Sequence, residues 1–184
     1  MIKYAHNEYA LIDCFRNPDT KNPIVSDYFE KIKEPLNKIN RIIVTHWHQD
    51  HIAGISEIIP LASEELKIVL NPIIKDDDFL EFISLNDKLK NESTKEFVKV
   101  MNLIKPGENL LLASNNKIIC ESSNNCIKAL SPQDAEVWNY ISSMKSKLLN
   151  KEVAYDIPDS NDLSLALLFK WGDNGILLGG RLRK

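Results

Sequence analysis

The stretch Arg41-Ile-Ile-Val-Thr-His-Trp-His-Gln-Asp-His-Ile-Ala-Gly54 carries three of the chain's four histidines, at positions 46, 48 and 51. Its first half is a short apolar run with the length of a buried strand, expected over Arg41–Thr45. The polar residues that follow therefore leave the sheet at an edge, where loops present side chains to solvent. His46 and His48 are two residues apart, so in extended backbone their imidazoles point to one side. Asp50 and His51 fall at the start of the next helix, where the turned chain can aim a carboxylate and a third imidazole at a neighbouring point. Imidazole and carboxylate are donors that Zn²⁺, Fe or Mn accept. With any ligand added from elsewhere, four such donors exceed one tetrahedral shell, so two ions roughly 3.5–4 Å apart are the economical reading. Crowding these groups together in a buried place without a cation would cost on the order of several kcal/mol.

Working outward, Glu8–Phe15 reads as a strand that closes in the polar segment 16–22. Pro23 opens a helix carrying Val25, Tyr28, Phe29 and Ile32, stopped by Pro35. A helix is expected across Ile52, Ile55, Ile58 and Ile59, then a strand over Leu66–Leu70. Residues 76–105 carry apolar positions at helical spacing and read as two amphipathic helices broken near 91–94. Short strands are expected at Asn109–Ala113, Lys117–Glu121 and Cys126–Leu130, with a helix over Ala135–Leu149. Gly172-Asp-Asn-Gly175 is a hairpin signal between Leu163–Trp171 and Gly175–Gly179. Strands and helices mix in both orders, which gives an α/β (α+β layered) class. No repeat or long linker interrupts the chain, so residues 1–184 are expected to form a single domain.

Composition narrows the function classes. The 184 residues are 43% hydrophobic and 27% charged, the balance of a globular domain with a real core. A net charge of −3 sets up no strong global field for nucleic acid. Three cysteines are too few for a disulfide scaffold and favour a reducing, cytoplasmic setting. No apolar run reaches the roughly 20 residues of a membrane helix, so no membrane association is expected. Cys120 and Cys126 read as buried thiols rather than metal ligands, and His6 as a surface histidine. Asp76-Asp-Asp78 reads as a complement to a helix dipole. Trp47 fits a substrate mouth and a core position equally.

The pattern His46-x-His48-x-Asp50-His51, preceded by Ile-Val-Thr45 and followed by Ile-Ala-Gly54, resembles the signature of the metallo-β-lactamase superfamily. Leu11-Ile-Asp13 resembles the early strand end of that fold. Ala129-Leu-Ser-Pro132, Asn161-x-x-Ser164 and Ile176-Leu-Leu-Gly-Gly180 are similar to the branch related to the competence DNA-uptake (ComEC-like) nuclease domain. The resemblance implies an αββα sandwich with two Zn²⁺ ions at one sheet edge and hydrolysis by a metal-bound hydroxide; one ion, or Mn or Fe, suits the same donors. It gives His46 and His48 to the first metal and Asp50 and His51 to the second. Asp50 would also orient the attacking water as the catalytic carboxylate. Asp13, Asn161 and Ser164 would brace the site from behind. Phosphodiesters or nucleic acids are the substrates this branch implies, and thioesters, lactones and β-lactams use the same metals.

Two departures stand beside the resemblance. Arg181 occupies the position where the branch has a metal-bridging Asp, and a guanidinium can neither ligate nor tolerate two adjacent dications. No histidine follows His51, whereas the family supplies a further one from a later segment. The chain thus resembles the N-terminal two-thirds of such a domain. The expectation is a truncated product, a fragment completed by another chain, or a degenerate metal-binding homologue acting as an interaction module. A sandwich stopped there would expose sheet edge and apolar surface and favour self-association.

Overall fold

The computed structural model describes residues 1–77, 79–80, 92–105, 107–149 and 163–179. These residues build two sheets. The first has the order β1 (Ile2–Ala5), β2 (Glu8–Ile12), β3 (Ile39–Ile43), β4 (Lys67–Leu70) and β5 (Leu110–Leu112). β1 is antiparallel to β2, and β2 through β5 run parallel. The second sheet is the antiparallel meander β6 (Ile118–Glu121), β7 (Asn125–Ala129), β8 (Leu167–Trp171) and β9 (Asn174–Leu178). Parallel strands need long crossovers, and the helices α1 (Ile24–Ile32), α2 (Gln49–Ile52), α3 (Ile55–Ile58) and α4 (Glu92–Leu103) fill them. A fifth helix, α5 (Asp134–Leu149), lies between β7 and β8.

The strand period of two divides the interior into two cores. Tyr9, Leu11, Ile42, Ile68 and Leu70 face the helices and meet Phe29, Ile55, Phe97, Val100 and Tyr140. The alternate residues Ala10, Ile43 and Val69 face the second sheet, where Ile127, Ala129, Leu165 and Leu167 cover them. The result is the two-sheet α/β sandwich of the metallo-β-lactamase type. Among the described residues β9 is the last strand of the second sheet, and its Ile176 and Leu177 are about half exposed (48% and 51%).

Several elements differ from the sequence expectation for local reasons. His6 and Asn7 form the turn of a β1–β2 hairpin, with Asn7 in the left-handed region at φ 61°, so the sheet begins one strand earlier than expected. The helix expected across 52–59 is split into α2 and α3, because Gly54 takes φ +92° between them. Trp47 packs into the helix-side core, with ring centroids 5.1 Å from Phe79 and 6.1 Å from Phe97. Cys120 pairs across the ladder with Ile127 and Cys126 with Glu121, so the two thiols sit on opposite faces and cannot chelate together. Asp76 Oδ1 accepts the Phe79 N–H at 3.1 Å, a capping bond at the start of a helical turn. Of the first helix expected in 76–105, Phe82 and Ile83 lie outside the described residues, as does Asp78.

Candidate functional site

The loop after β3 is anchored by one carboxylate. Asp13 follows β2 with φ 54°, a left-handed conformation that Asp tolerates better than most residues. From there its Oδ1 accepts the Thr45 N–H at 2.7 Å. Its Oδ2 accepts the Thr45 hydroxyl at 2.7 Å and pairs with His51 Nδ1 at 2.8 Å. These bonds join residues 32 and 38 positions apart, and they bind the two ends of the histidine-rich loop together.

The network also fixes tautomers. The Thr45 hydroxyl has a single hydrogen, which goes to Asp13. Toward His46 Nδ1, 3.0 Å away, Thr45 Oγ1 can therefore only accept, so His46 carries its proton on Nδ1. A carboxylate is likewise acceptor-only, so His51 carries a proton on Nδ1. In both rings Nε2 is then the nitrogen with the lone pair when the imidazole is neutral. Burial, and next the charge of His51, pushes the His46 pKa down to about 4, so His46 is neutral near pH 7. The hydrogen bond to Asp13 raises the His51 pKa, against the opposing effect of burial.

The imidazoles stand close together. The His46 ring centroid is 4.9 Å from that of His48 and 3.9 Å from that of His51. The Asp50 side chain is 80% exposed, and its Oδ2 is 3.5 Å from His51 Nε2. Thus His46, His48, Asp50 and His51 share one loop end, with Asp13 behind them. Among the described residues, no three His, Cys, Asp or Glu side chains converge to hold a metal ion. The donor chemistry nonetheless suits a divalent cation: a neutral His46 with its lone pair on Nε2, His48 and the Asp50 carboxylate close by, and the Asp13 carboxylate on Nδ1 of His51.

The segment before β8 closes one side. The Leu165 N–H donates to Thr45 O at 2.9 Å, and the Ser131 hydroxyl donates to Ser164 O at 2.7 Å. Ser164 is buried, and its hydroxyl has no hydrogen-bond partner among the described residues. Gly179, after β9, passes so close that a Cβ there would lie 2.6 Å from Leu165 O and 3.2 Å from Thr45 Cγ2. Asn161 and Arg181 lie outside the described residues. Exposed His6 sits in the β1–β2 turn, far along β2 from the loop end.

Two supporting residues escaped the sequence reading. Thr45 carries the relay just described. Glu96, on α4, is buried, and its Oε1 accepts the N–H groups of Gly54 and Ser56 at 3.2 and 3.0 Å. It therefore caps α3 and holds the exit of the histidine loop. The only sequence signal for it is an acidic residue beside Phe97 in the apolar stripe of α4.

Comparison with known proteins agrees with this layout. The family model for the metallo-beta-lactamase superfamily matches residues 1–63. A curated protein of Caenorhabditis elegans, "Beta-lactamase-like protein 2 homolog", is 34% identical over 64 residues, which are 33% of this chain and 22% of that protein. The chain therefore spans about a fifth of the length of that relative. Among solved structures, a Thermotoga maritima protein assigned to the metallo-β-lactamases superposes with a TM-score of 0.54 at 14% identity, covering 95% of this chain and 63% of its own. At that identity the likeness is one of fold, and the fold resembles that of metallo-β-lactamase superfamily proteins in general.

Proposed function

We propose that the protein is a metal-dependent hydrolase whose cation, Zn²⁺ by donor type, is held by His46, His48, Asp50 and His51. The observation that carries this reading is the Asp13–Thr45 relay, which puts the protons of His46 and His51 on Nδ1 and leaves Nε2 as their donor nitrogen. A surface cluster of histidines has no need of two fixed tautomers; a ligand set does. When bound, the cation supplies Lewis acidity, making water acidic near neutral pH and polarising the bond under attack.

The chain's own residues have separate tasks in this reading. Asp13 holds the loop and the two ring orientations as a positioning residue. Asp50, largely exposed beside His51, is the carboxylate able to accept a proton from an attacking water. Ser164, buried beside the Thr45 contact with a hydroxyl that has no partner among the described residues, braces this edge; a bracing role for Asn161 is what the family resemblance implies. The free thiols Cys14, Cys120 and Cys126 support a reducing, cytoplasmic setting. Among the described residues no helix is long and apolar enough to cross a membrane.

The test is removal and return of metal. Protein stripped with a chelator and dialysed should lose hydrolysis of p-nitrophenyl esters or phosphodiesters and regain it with Zn²⁺ or Mn²⁺. Turnover that survives stripping would defeat the reading. A second reading is a metal-binding module without catalysis, which would use the same His46, His48, Asp50 and His51 donors without activating water. Stoichiometric metal with no turnover on any ester would select it.

A further inference from the structure

A cavity of about 730 Å³ opens beside the histidine loop, within the size range of small-molecule sites. One end is polar and belongs to the site already described: Asp13, Asp50 and His51 line it. The remainder is apolar, walled by Ile12, Phe15, Ile24 and Tyr28 among others. Phe15 and Tyr28 are each 48% exposed, although both are large aromatic residues. Phe15 lies in the loop after β2, and Tyr28 on α1. The Ile24 N–H bond to Phe15 O at 2.9 Å fixes their separation.

The charge of the lining is as informative as its hydrophobicity. The charged groups are confined to the polar end, where the Asp13 and Asp50 carboxylates stand with His51 and the Met1 ammonium, and no Lys or Arg lines the apolar walls. The nearest guanidinium in sequence, Arg16, is turned away and engaged with Glu57 and the Lys21 carbonyl. A nucleic-acid strand needs cations along its backbone and stacking platforms along its bases. The walls of Ile12, Phe15, Ile24 and Tyr28 would strip water from those phosphates without supplying a cation to pair them. An uncharged molecule with an apolar tail meets no such penalty and removes Phe15 and Tyr28 from water.

We infer that this cavity is the acyl pocket of the site, and that the substrate is a neutral ester or thioester with a medium-length alkyl or aryl acyl group. The inference rests on the hydrolase reading above, and it narrows the substrate away from the phosphodiesters implied by the competence-nuclease resemblance. In the reaction, water adds to the acyl carbonyl carbon and the C–O or C–S bond to the leaving group breaks. The acyl part departs as a carboxylate, and the alcohol or thiol takes up a proton. The apolar chain lies against Ile12, Phe15, Ile24 and Tyr28, with the carbonyl at the Asp50–His51 end.

The experiment separates the pocket from the chemistry. Binding of the methyl ketones from pentanone to nonanone, which cannot be hydrolysed, is measured by NMR titration of the full chain without metal. Affinity should rise roughly fourfold per added methylene while the chain is being buried. Phe15→Asp and Tyr28→Asp, both at half-exposed positions, should each weaken nonanone binding at least tenfold while leaving the urea midpoint near wild type. In parallel, the zinc-loaded protein is assayed on p-nitrophenyl butyrate, p-nitrophenyl octanoate and bis(p-nitrophenyl) phosphate. A lower KM for octanoate than for butyrate, lost in the two variants, supports the inference. Ketone binding that is absent, insensitive to chain length or unchanged in the variants overturns it. Phosphodiester turnover without ketone binding also overturns the pocket while upholding the hydrolase. Chain-length-dependent binding without turnover on any ester upholds the pocket and removes the hydrolase reading.

Discussion

Replacing Asp13 with Ala should loosen the whole histidine loop, and the size of the effect follows from three bonds. The carboxylate accepts from the Thr45 N–H, the Thr45 hydroxyl and His51 Nδ1, at 2.7, 2.7 and 2.8 Å. A hydrogen bond contributes about 1 kcal/mol net, and a buried donor left without a partner costs about 1–3 kcal/mol. The His51 side chain is 32% exposed, so water will replace part of its loss. The expected destabilisation is therefore about 2–3 kcal/mol in urea unfolding at pH 7. Asp13→Asn keeps one acceptor oxygen but not the charge, and should fall between Ala and wild type. A pH dependence distinguishes the ion pair from the neutral bonds. Asp13 raises the His51 pKa, so in metal-free protein the charged pair contributes fully below the ordinary imidazole value of 6.5. That contribution is lost as pH rises through the raised value. The Asp13→Asn penalty should accordingly be larger at pH 5.5 than at pH 8.5, and the His51 NMR titration should shift downward in the variant. An Asp13→Ala protein within about 0.5 kcal/mol of wild type at both pH values would refute the reasoning, because that is the scatter of neutral surface substitutions.

Other expected outcomes come from the loop's supports. Gly54→Ala forces a side chain into φ +92° and puts its Cβ 2.8 Å from Pro23 Cγ; a loss of about 2–3 kcal/mol in thermal or urea unfolding is expected. Glu96→Ala removes the acceptor for the Gly54 and Ser56 N–H groups and should cost about 2 kcal/mol, whereas Glu96→Gln retains an oxygen there and should cost under about 1 kcal/mol. Burial pushes the Cys14 thiol up to about 11 and the Cys120 thiol up to about 12, so with a thiol reagent at pH 8 the half-buried Cys126 should react first; mass spectrometry showing Cys14 labelled as quickly would contradict the packing described.

What could be read from the sequence was short in range. The spacing of His46, His48, Asp50 and His51 is local, and so is the apolar run before it, so both could be placed in the loop that follows β3. The burial alternation of β2, β3 and β4 was visible only as apolar runs, because strands buried on both faces carry no polar alternation. What escaped depends on contacts made after folding. The Asp13 bonds to Thr45 and His51, and those of Glu96 to Gly54 and Ser56, span 32 to 42 residues. No periodicity encodes such pairings. The split between α2 and α3 was encoded in Gly54, but only its close approach to Pro23 shows why a glycine stands there. Trp47, ambiguous between mouth and core, is placed by its neighbours Phe79 and Phe97, which come from distant parts of the chain. The two cysteines of the β6–β7 hairpin were separable only once the register was known.

The most direct test of the central claim is elemental analysis of the purified protein beside His46→Ala, His48→Ala and His51→Ala variants. At least one zinc or comparable divalent ion per chain is expected in the wild type. Each variant should lose most of it while still unfolding cooperatively. A wild type free of bound metal after growth and purification with zinc present, or variants that retain the wild-type amount, would contradict the claim that this loop is a metal site.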